Sequence, residues 1–499
     1  MTNEATLVTE DPGAGPGPRR RRPVACLLLL GLAAALFLGY SAPMLGAPFG
    51  DSHDGRNAGV WASGSRSLRE SGPIRSRLGT RSPENGVYAN HPPLVYLETA
   101  LAETVGLGSR AATRAPAWLG SLAVIGLLGV LLAERGLRPA AVGVAVAAVV
   151  ATPMFLVYGS MLDTPVTSLP FGVALLVLWE RARHDRPVPP VAAGVVAALA
   201  VLAGWQSLLV AAVIGGWALV RLRRHRDGAG TDAAFVAGAL SGAVLLAAWL
   251  LWAFDGSLTA LFDQLLFRSG RGVEHVSVSA LLRDQHHDLI VMFGLVAALS
   301  VAGLAVALAQ RPTRALAAVS LAVTVPYTLL LPAGAVNHDY WDYWFILPFA
   351  VGLAAGGHRL LSAVSSGRRT EAMFAAGGGL LAVVVTAAVI AMPSASATTT
   401  REGLRGGSIV LGSRLPPGQP SAWYTGAISP PAGWWAYAAR RPARNLAPAE
   451  LAALAAARPG DTVLFGDLRC VDGEPHITYG TATAAVLALH PPEVSRCAP

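Results

Sequence analysis

The chain has 499 residues, of which 53% are apolar and 14% charged; its 38 basic residues are all Arg, three residues are Cys, and the formal net charge is +8. A soluble core cannot enclose that much apolar surface, and soluble domains carry about 25% charged residues, so a cytosolic enzyme, a disordered chain and a nucleic-acid-binding domain are excluded, while three cysteines exclude a disulfide-rich scaffold. The class that remains is a multi-span all-α membrane protein, in keeping with a mean hydropathy of +0.49.

Residues 1–23 are Pro/Gly-rich and end in Arg19–Arg22, which predicts a disordered N-terminus held in the cytoplasm. A spanning helix needs about 20 apolar residues, because unpaired backbone groups are too costly in hydrocarbon. That test predicts spans near 24–43, 114–133, 139–157, 165–180, 189–204, 206–221, 233–254, 288–308, 315–332, 343–362 and 372–393, about eleven in all. The pair 189–204 and 206–221 is separated only by Gly204–Gln206, so one re-entrant unit is the alternative there. A cleaved signal peptide is the alternative for the first span, but 24–43 is long for a signal core.

Arg placement sets the orientation. After Arg19–Arg22, every second connection repeats the basic signal: Arg135 and Arg138; Arg181, Arg183 and Arg186; Arg221, Arg223, Arg224 and Arg226; Arg311 and Arg314; Arg368 and Arg369. These become cytoplasmic, which puts a long loop (44–113) and the tail (394–499) on the far side of the plasma membrane. The tail reads as a small α/β domain, with a strand at Thr462–Phe465 and a helix at Pro448–Ala457. Its Cys470 and Cys497 are either a disulfide or two free thiols.

Outside the tail, most charges other than Arg fall at the outer ends of spans. They form five groups: Asp51, His53 and Asp54; Tyr88, Asn90 and His91; Asp163; His286, His287 and Asp288; and Asn337, His338, Asp339 and Asp342. Clustering at one face implies a polar cavity there, since an acidic group at the hydrocarbon edge is costly unless paired or functional. Plainer roles stand beside each functional one. Asp163, before Thr164-Pro165, caps a helix; His338-Asp339-Tyr340-Trp341 forms an interfacial aromatic belt; His286 and His287, adjacent and so pointing apart on a helix, are surface residues.

Three of these motifs, Asp51-Ser-His-Asp54-Gly-Arg-Asn-Ala, His91-Pro92-Pro93-Leu94 and Met161-Leu162-Asp163-Thr164-Pro165, resemble the polyprenyl-phosphate-dependent GT-C glycosyltransferases, the group that includes protein O-mannosyltransferases and aminoarabinose transferases of lipid A. They occur in the family's order, over the membrane portion to about residue 360; the tail matches more loosely, through Trp435-Ala-Tyr-Ala-Ala-Arg-Arg-Pro. Two departures stand out: His53-Asp54 occupies the place of an adjacent acidic pair, and Asn90-His91 precedes the two prolines where a Glu-Lys pair is usual.

The resemblance implies a GT-C membrane domain (24–393) that transfers a sugar, with inversion, from a polyprenyl-phosphate carrier to a lipid, polysaccharide or protein acceptor on the outer face. It implies Asp54 or Asp51 as general base and Asp163 with Tyr88 holding the base and the sugar. Arg114 resembles a family Arg at the start of the second span, and Arg268, Arg271 and His338 are further groups for the leaving phosphate, with Asn90, His91 and Asp339 lining the site. Asp54 and Asp163 either hold a divalent metal, as in some related transferases, or act without one. A transporter or flippase, and a non-catalytic envelope scaffold, are the readings from other classes. A transporter places its binding groups near the bilayer midplane, whereas here the charges gather at one face.

Overall fold

The computed structural model describes residues 24–391, except 47–52, 84–85, 89, 107–108, 225–228, 272–275 and 365–366, together with 422–425, 443–445, 453, 463–465 and 487–489. The membrane portion is helical. Helix α1 (Val24–Leu45) is followed by α2 (His53–Arg75), a hairpin of β1 (Arg81–Ser82) and β2 (Gly86–Val87), and α3 (Leu94–Thr104). The bundle continues with α4 (Ser109–Ala133), α5 (Pro139–Val150), α6 (Pro153–Tyr158), α7 (Thr164–Arg183), α8 (Pro190–Ala203), α9 (Trp205–Arg224) and α10 (Ala229–Ala253). Then come α11 (Thr259–Arg268), α12 (Val278–Phe293), α13 (Leu295–Ala309), α14 (Arg311–Leu330), α15 (Pro332–Asn337), a 3-10 helix (Asp339–Phe345), α16 (Ile346–Val364) and α17 (Arg368–Ala391).

Among the described residues seven helices are long and apolar enough to cross a membrane, or eight if the bent pair α12–α13 is counted as one. Two expected spans take a different form. The stretch 139–157 divides into α5 and α6 because Thr152 turns out of the helix and caps α6, its hydroxyl accepting from Phe155 N at 3.4 Å. The stretch 288–308 is not straight: α12 and α13 meet at 106°, hinged on Gly294, whose φ of 54° is open to glycine but strained for other residues. Helix α12 begins at Val278, so His286, His287 and Asp288 lie well inside a helix, not at the start of one. The pair around Gly204 forms two helices, α8 with 14 residues and α9 with 20, joined by that single extended residue.

Packing follows from small residues and from stripes at helical spacing. On α1 the buried side chains are Cys26, Leu29, Ala33, Phe37, Tyr40, Ser41 and Met44, while Leu27 and Leu28 face outward. Helices α13 and α16 touch backbone to backbone: a Cβ at Gly303 would sit 2.1 Å from the Gly352 oxygen. Such contact is how helices associate where lipid removes any hydrophobic drive between them.

The Arg-bearing connections meet at one end of the bundle. Arg135 pairs with Glu180 at 2.8 Å, Arg138 with Glu371 at 3.1 Å, Arg181 with Glu134 at 3.1 Å, and Arg221 with Asp185 at 2.8 Å and Asp232 at 3.2 Å. In the tail, β3 (Ala422–Thr425), β4 (Ala443–Asn445), β5 (Val463–Phe465) and β6 (Leu487–Leu489) form a sheet in the order β4-β3-β5-β6, antiparallel only between β5 and β6. The strand expected at Thr462–Phe465 is β5; the helix expected at Pro448–Ala457 and both Cys470 and Cys497 lie outside the described residues.

Candidate functional site

Opposite the ionic end, the segment between α1 and α4 folds over the N-terminus of α7. Gly64 of α2 makes this compact: a Cβ there would lie 2.2 Å from both the Gly79 oxygen and the Tyr96 ring. Trp61 centres an aromatic cluster, with ring centroids 4.8 Å from Tyr96, 5.7 Å from Tyr88 and 5.8 Å from His91. Tyr96 donates its hydroxyl to the Tyr88 carbonyl at 2.9 Å, and Trp205, opening α9, donates Nε1 to the Asn90 carbonyl at 2.8 Å. The loop carrying Tyr88, Asn90 and His91 is thus fixed by both its own helices and the bundle.

Asp163 is the hub. It caps α7, with Oδ1 accepting from Thr164 N at 2.6 Å and Pro165 in the first turn, as expected from the sequence. Its Oδ2 accepts from Asn57 Nδ2 at 2.6 Å, which ties α2 to α7. Thr164 Oγ1 in turn lies 3.1 Å from His91 Nδ1, in a hydrogen bond. Asn57 also shares a side-chain hydrogen bond with Tyr340.

A second arm comes from the late helices. Arg268, the last residue of α11, meets His338 Nε2 at 2.6 Å and lies 5.5 Å above the Trp341 ring. His338 is flanked by the Tyr340 and Trp341 rings at 5.2 and 5.7 Å. Tyr158 donates to Asp339 Oδ2 at 2.7 Å. Burial, reinforced by Asp163 and opposed by Arg268 and by a hydrogen bond from Asn90, pushes the Tyr88 phenol up to about 12. Burial first, and then Arg268, hold His91 down to about 3, so its imidazole is neutral at physiological pH. Arg268 therefore acts on both side chains, and Asp163 opposes it at Tyr88.

Other expected residues fall as follows. Asp54 lies in the first turn of α2, one helical turn before Asn57, and Asp51 lies outside the described residues. Arg114 is fully buried in α4. Arg271 is exposed just beyond α11, and His286 and His287 are exposed on α12. Trp344 anchors the bundle, donating Nε1 to the Pro165 carbonyl at 2.9 Å. Asn57, Thr164, Trp61, Tyr158 and Tyr340 join the site without having been given a role by the sequence reading. For Asn57 the available signal was its spacing, three residues after Asp54 on a helix.

Both Asp163 oxygens accept from amide donors, Thr164 N and Asn57 Nδ2, so this carboxylate is set up as a hydrogen-bond hub. Among the described residues no three acidic, His or Cys groups are arranged to hold a metal ion.

A bundle of this kind, with juxtamembrane helices closing a polar end, defines a polytopic membrane protein of the GT-C fold. Solved structures with the same fold include ArnT from Cupriavidus metallidurans in the apo state, with a TM-score of 0.57 at 15% identity over 95% of this chain and 98% of that one. The same protein bound to undecaprenyl phosphate gives 0.54 at 15% identity, over 94% and 98%. The apo oligosaccharyltransferase of Archaeoglobus fulgidus gives 0.54 at 14% identity, over 84% of this chain and 64% of that one. No protein-family model and no curated protein sequence matches the chain.

Proposed function

We propose that this protein is a glycosyltransferase of the plasma membrane, transferring a sugar from a polyprenyl-phosphate carrier to an envelope acceptor on the extracytoplasmic face. The N-terminus lies in the cytoplasm, residues 24–393 form the transferase domain, and 394–499 form an extracytoplasmic α/β domain. One observation carries the reading. Asn57, His91, Asp163 and Arg268, from four stretches far apart in sequence, converge at one end of a fold shared with ArnT, a protein crystallised with undecaprenyl phosphate.

The chemistry follows from charge. The acceptor hydroxyl oxygen attacks the anomeric carbon from the face opposite the carrier, and a carboxylate takes the hydroxyl proton as the new C–O bond forms. Asp54, one turn before Asn57 in α2, is assigned that role, with Asp51 as the alternative base; general-base assistance is worth about 10²–10⁴-fold. Asp163 positions α2 through Asn57. As the bond to the carrier breaks, its phosphate gains negative charge, which Arg268, held by His338 and Trp341, neutralises. Arg114 and Arg271 are further cations for the carrier phosphate, and Tyr88, Asn90, His91 and Asp339 shape the sugar pocket. The mechanism needs no step through a metal.

The test is to incubate the purified protein with a panel of polyprenyl-phosphate sugars and identify which is consumed and what product forms. Consumption of one donor with release of free polyprenyl phosphate is expected. Transbilayer movement of an intact donor, with no sugar released, would replace this reading with a flippase.

A further inference from the structure

The far end of α7, about 30 Å from Asp163 by helix rise, carries a second charged hollow. A cleft of about 450 Å³ opens between the C-terminal ends of α4 and α7 and the start of α14, lined by Glu134, Arg135, His184, Arg186, Arg311 and Pro312. The carboxylates beside it are already matched: Glu134 pairs with Arg181 at 3.1 Å and with Arg186, and Glu180 pairs with Arg135 at 2.8 Å and Arg183 at 3.4 Å. Two carboxylates thus face four guanidiniums, and the cleft keeps a positive excess before Arg311 is added. Arg311 is exposed and makes no ion pair or side-chain hydrogen bond among the described residues. Arg135 lines the cleft with its side chain only 2% exposed, and its Nε has no hydrogen-bond acceptor.

His184 registers the same field. Burial, then Arg135, Arg183 and Arg186, push its proton affinity down, leaving a neutral ring beside the Arg135 guanidinium. Apolar surface adjoins the basic groups: Val130 and Leu308, about one turn back along α4 and α13, are 46% and 38% exposed. A concave basic site beside exposed aliphatic side chains matches a phosphate carried on acyl chains better than one free in water.

We propose that this cleft binds the phosphate group of an anionic phospholipid in the leaflet opposite the Asp163 site. The assignment does not depend on the transferase reading.

The full chain, purified in detergent, would be offered phosphatidylglycerol or phosphatidylcholine in nanodiscs, and the lipids retained after extraction counted by native mass spectrometry. Inorganic phosphate would be tested separately, by its effect on the melting temperature. Phosphatidylglycerol should be retained about tenfold over phosphatidylcholine. Arg311→Glu should remove that preference and Arg311→Gln should reduce it. Arg223→Glu, an exposed arginine outside the cleft, should leave it intact. Thermal stabilisation by inorganic phosphate that Arg311→Glu abolishes, without lipid preference, would keep the anion site but make free phosphate its ligand. Equal retention by wild type and Arg311→Glu with no phosphate effect, or an equal loss in Arg223→Glu, would overturn the site.

Discussion

Asn57 Nδ2 and Asp163 Oδ2 are 2.6 Å apart although 106 residues separate them in the chain. The bond fastens α2 to the first turn of α7, and Asp54 lies one helical turn before Asn57 in α2. Asp54→Asn should lower sugar transfer about 10²–10⁴-fold while the protein stays folded in the membrane. Asn57→Ala should lower kcat about tenfold, with little change in KM, because it disturbs positioning alone. Full activity of the Asp51→Asn/Asp54→Asn double variant would eliminate the proposed base.

Arg268 is held by His338 Nε2 at 2.6 Å and stacked 5.5 Å from Trp341, so its planar fork is oriented in advance. Arg268→Ala should cost about 10²-fold in kcat/KM for the lipid donor. Arg268→Lys should recover only part of this, because a lysine keeps the charge but loses the fork. Steady-state kinetics with varied donor separate the two, and equal kcat/KM in all three proteins would refute the role.

Two groups near the site give opposite pH dependences of stability. His91 falls from the usual 6.5 to about 3 on folding, so the folded state binds fewer protons than the unfolded one between those values. Its contribution is present above pH 6.5 and is lost as pH falls. Glu98 rises from 4.5 to about 8 through burial, so its contribution is present below pH 4.5 and is lost as pH rises toward 8. Melting temperature against pH should therefore lose part of its acid-side decline in His91→Gln. Glu98→Gln should lose part of its decline between 4.5 and 8. Profiles parallel to wild type would contradict both assignments.

At the ionic end, Arg135 and Glu180 pair at 2.8 Å with side chains 2% and 0% exposed. Removing Arg135 leaves the buried Glu180 with only the longer Arg183 contact at 3.4 Å as an arginine partner, and Arg135→Ala should destabilise by about 3 kcal/mol. The double replacement Arg135→Met/Glu180→Leu should regain most of that, since it strands neither charge. Unfolding in denaturing detergent mixtures would measure both; a double variant less stable than Arg135→Ala would show that the pair itself is strongly stabilising.

Sidedness can be tested at exposed positions. In a cysteine-free background, Ser257→Cys, exposed between α10 and α11, should react with an impermeant maleimide on intact cells. Ser362→Cys, exposed near the end of α16, should react only after permeabilisation. The reverse pattern would invert the topology.

The sequence by itself determined the membrane class, because hydropathy and Arg alternation are local or additive signals that need no knowledge of contacts. It also determined the Asp163 cap, since Asp-Thr-Pro specifies a helix start within three residues. Only the tertiary structure decided that Asn57 meets Asp163, that Arg268 docks on His338 and Trp341, and that α12 and α13 bend at Gly294 rather than run straight. These outcomes depend on how helices pack across long stretches of chain, through small-residue contacts such as Gly303 on Gly352. Hydropathy reports how favourably a segment enters lipid, but it carries no information about which neighbour that segment finds there.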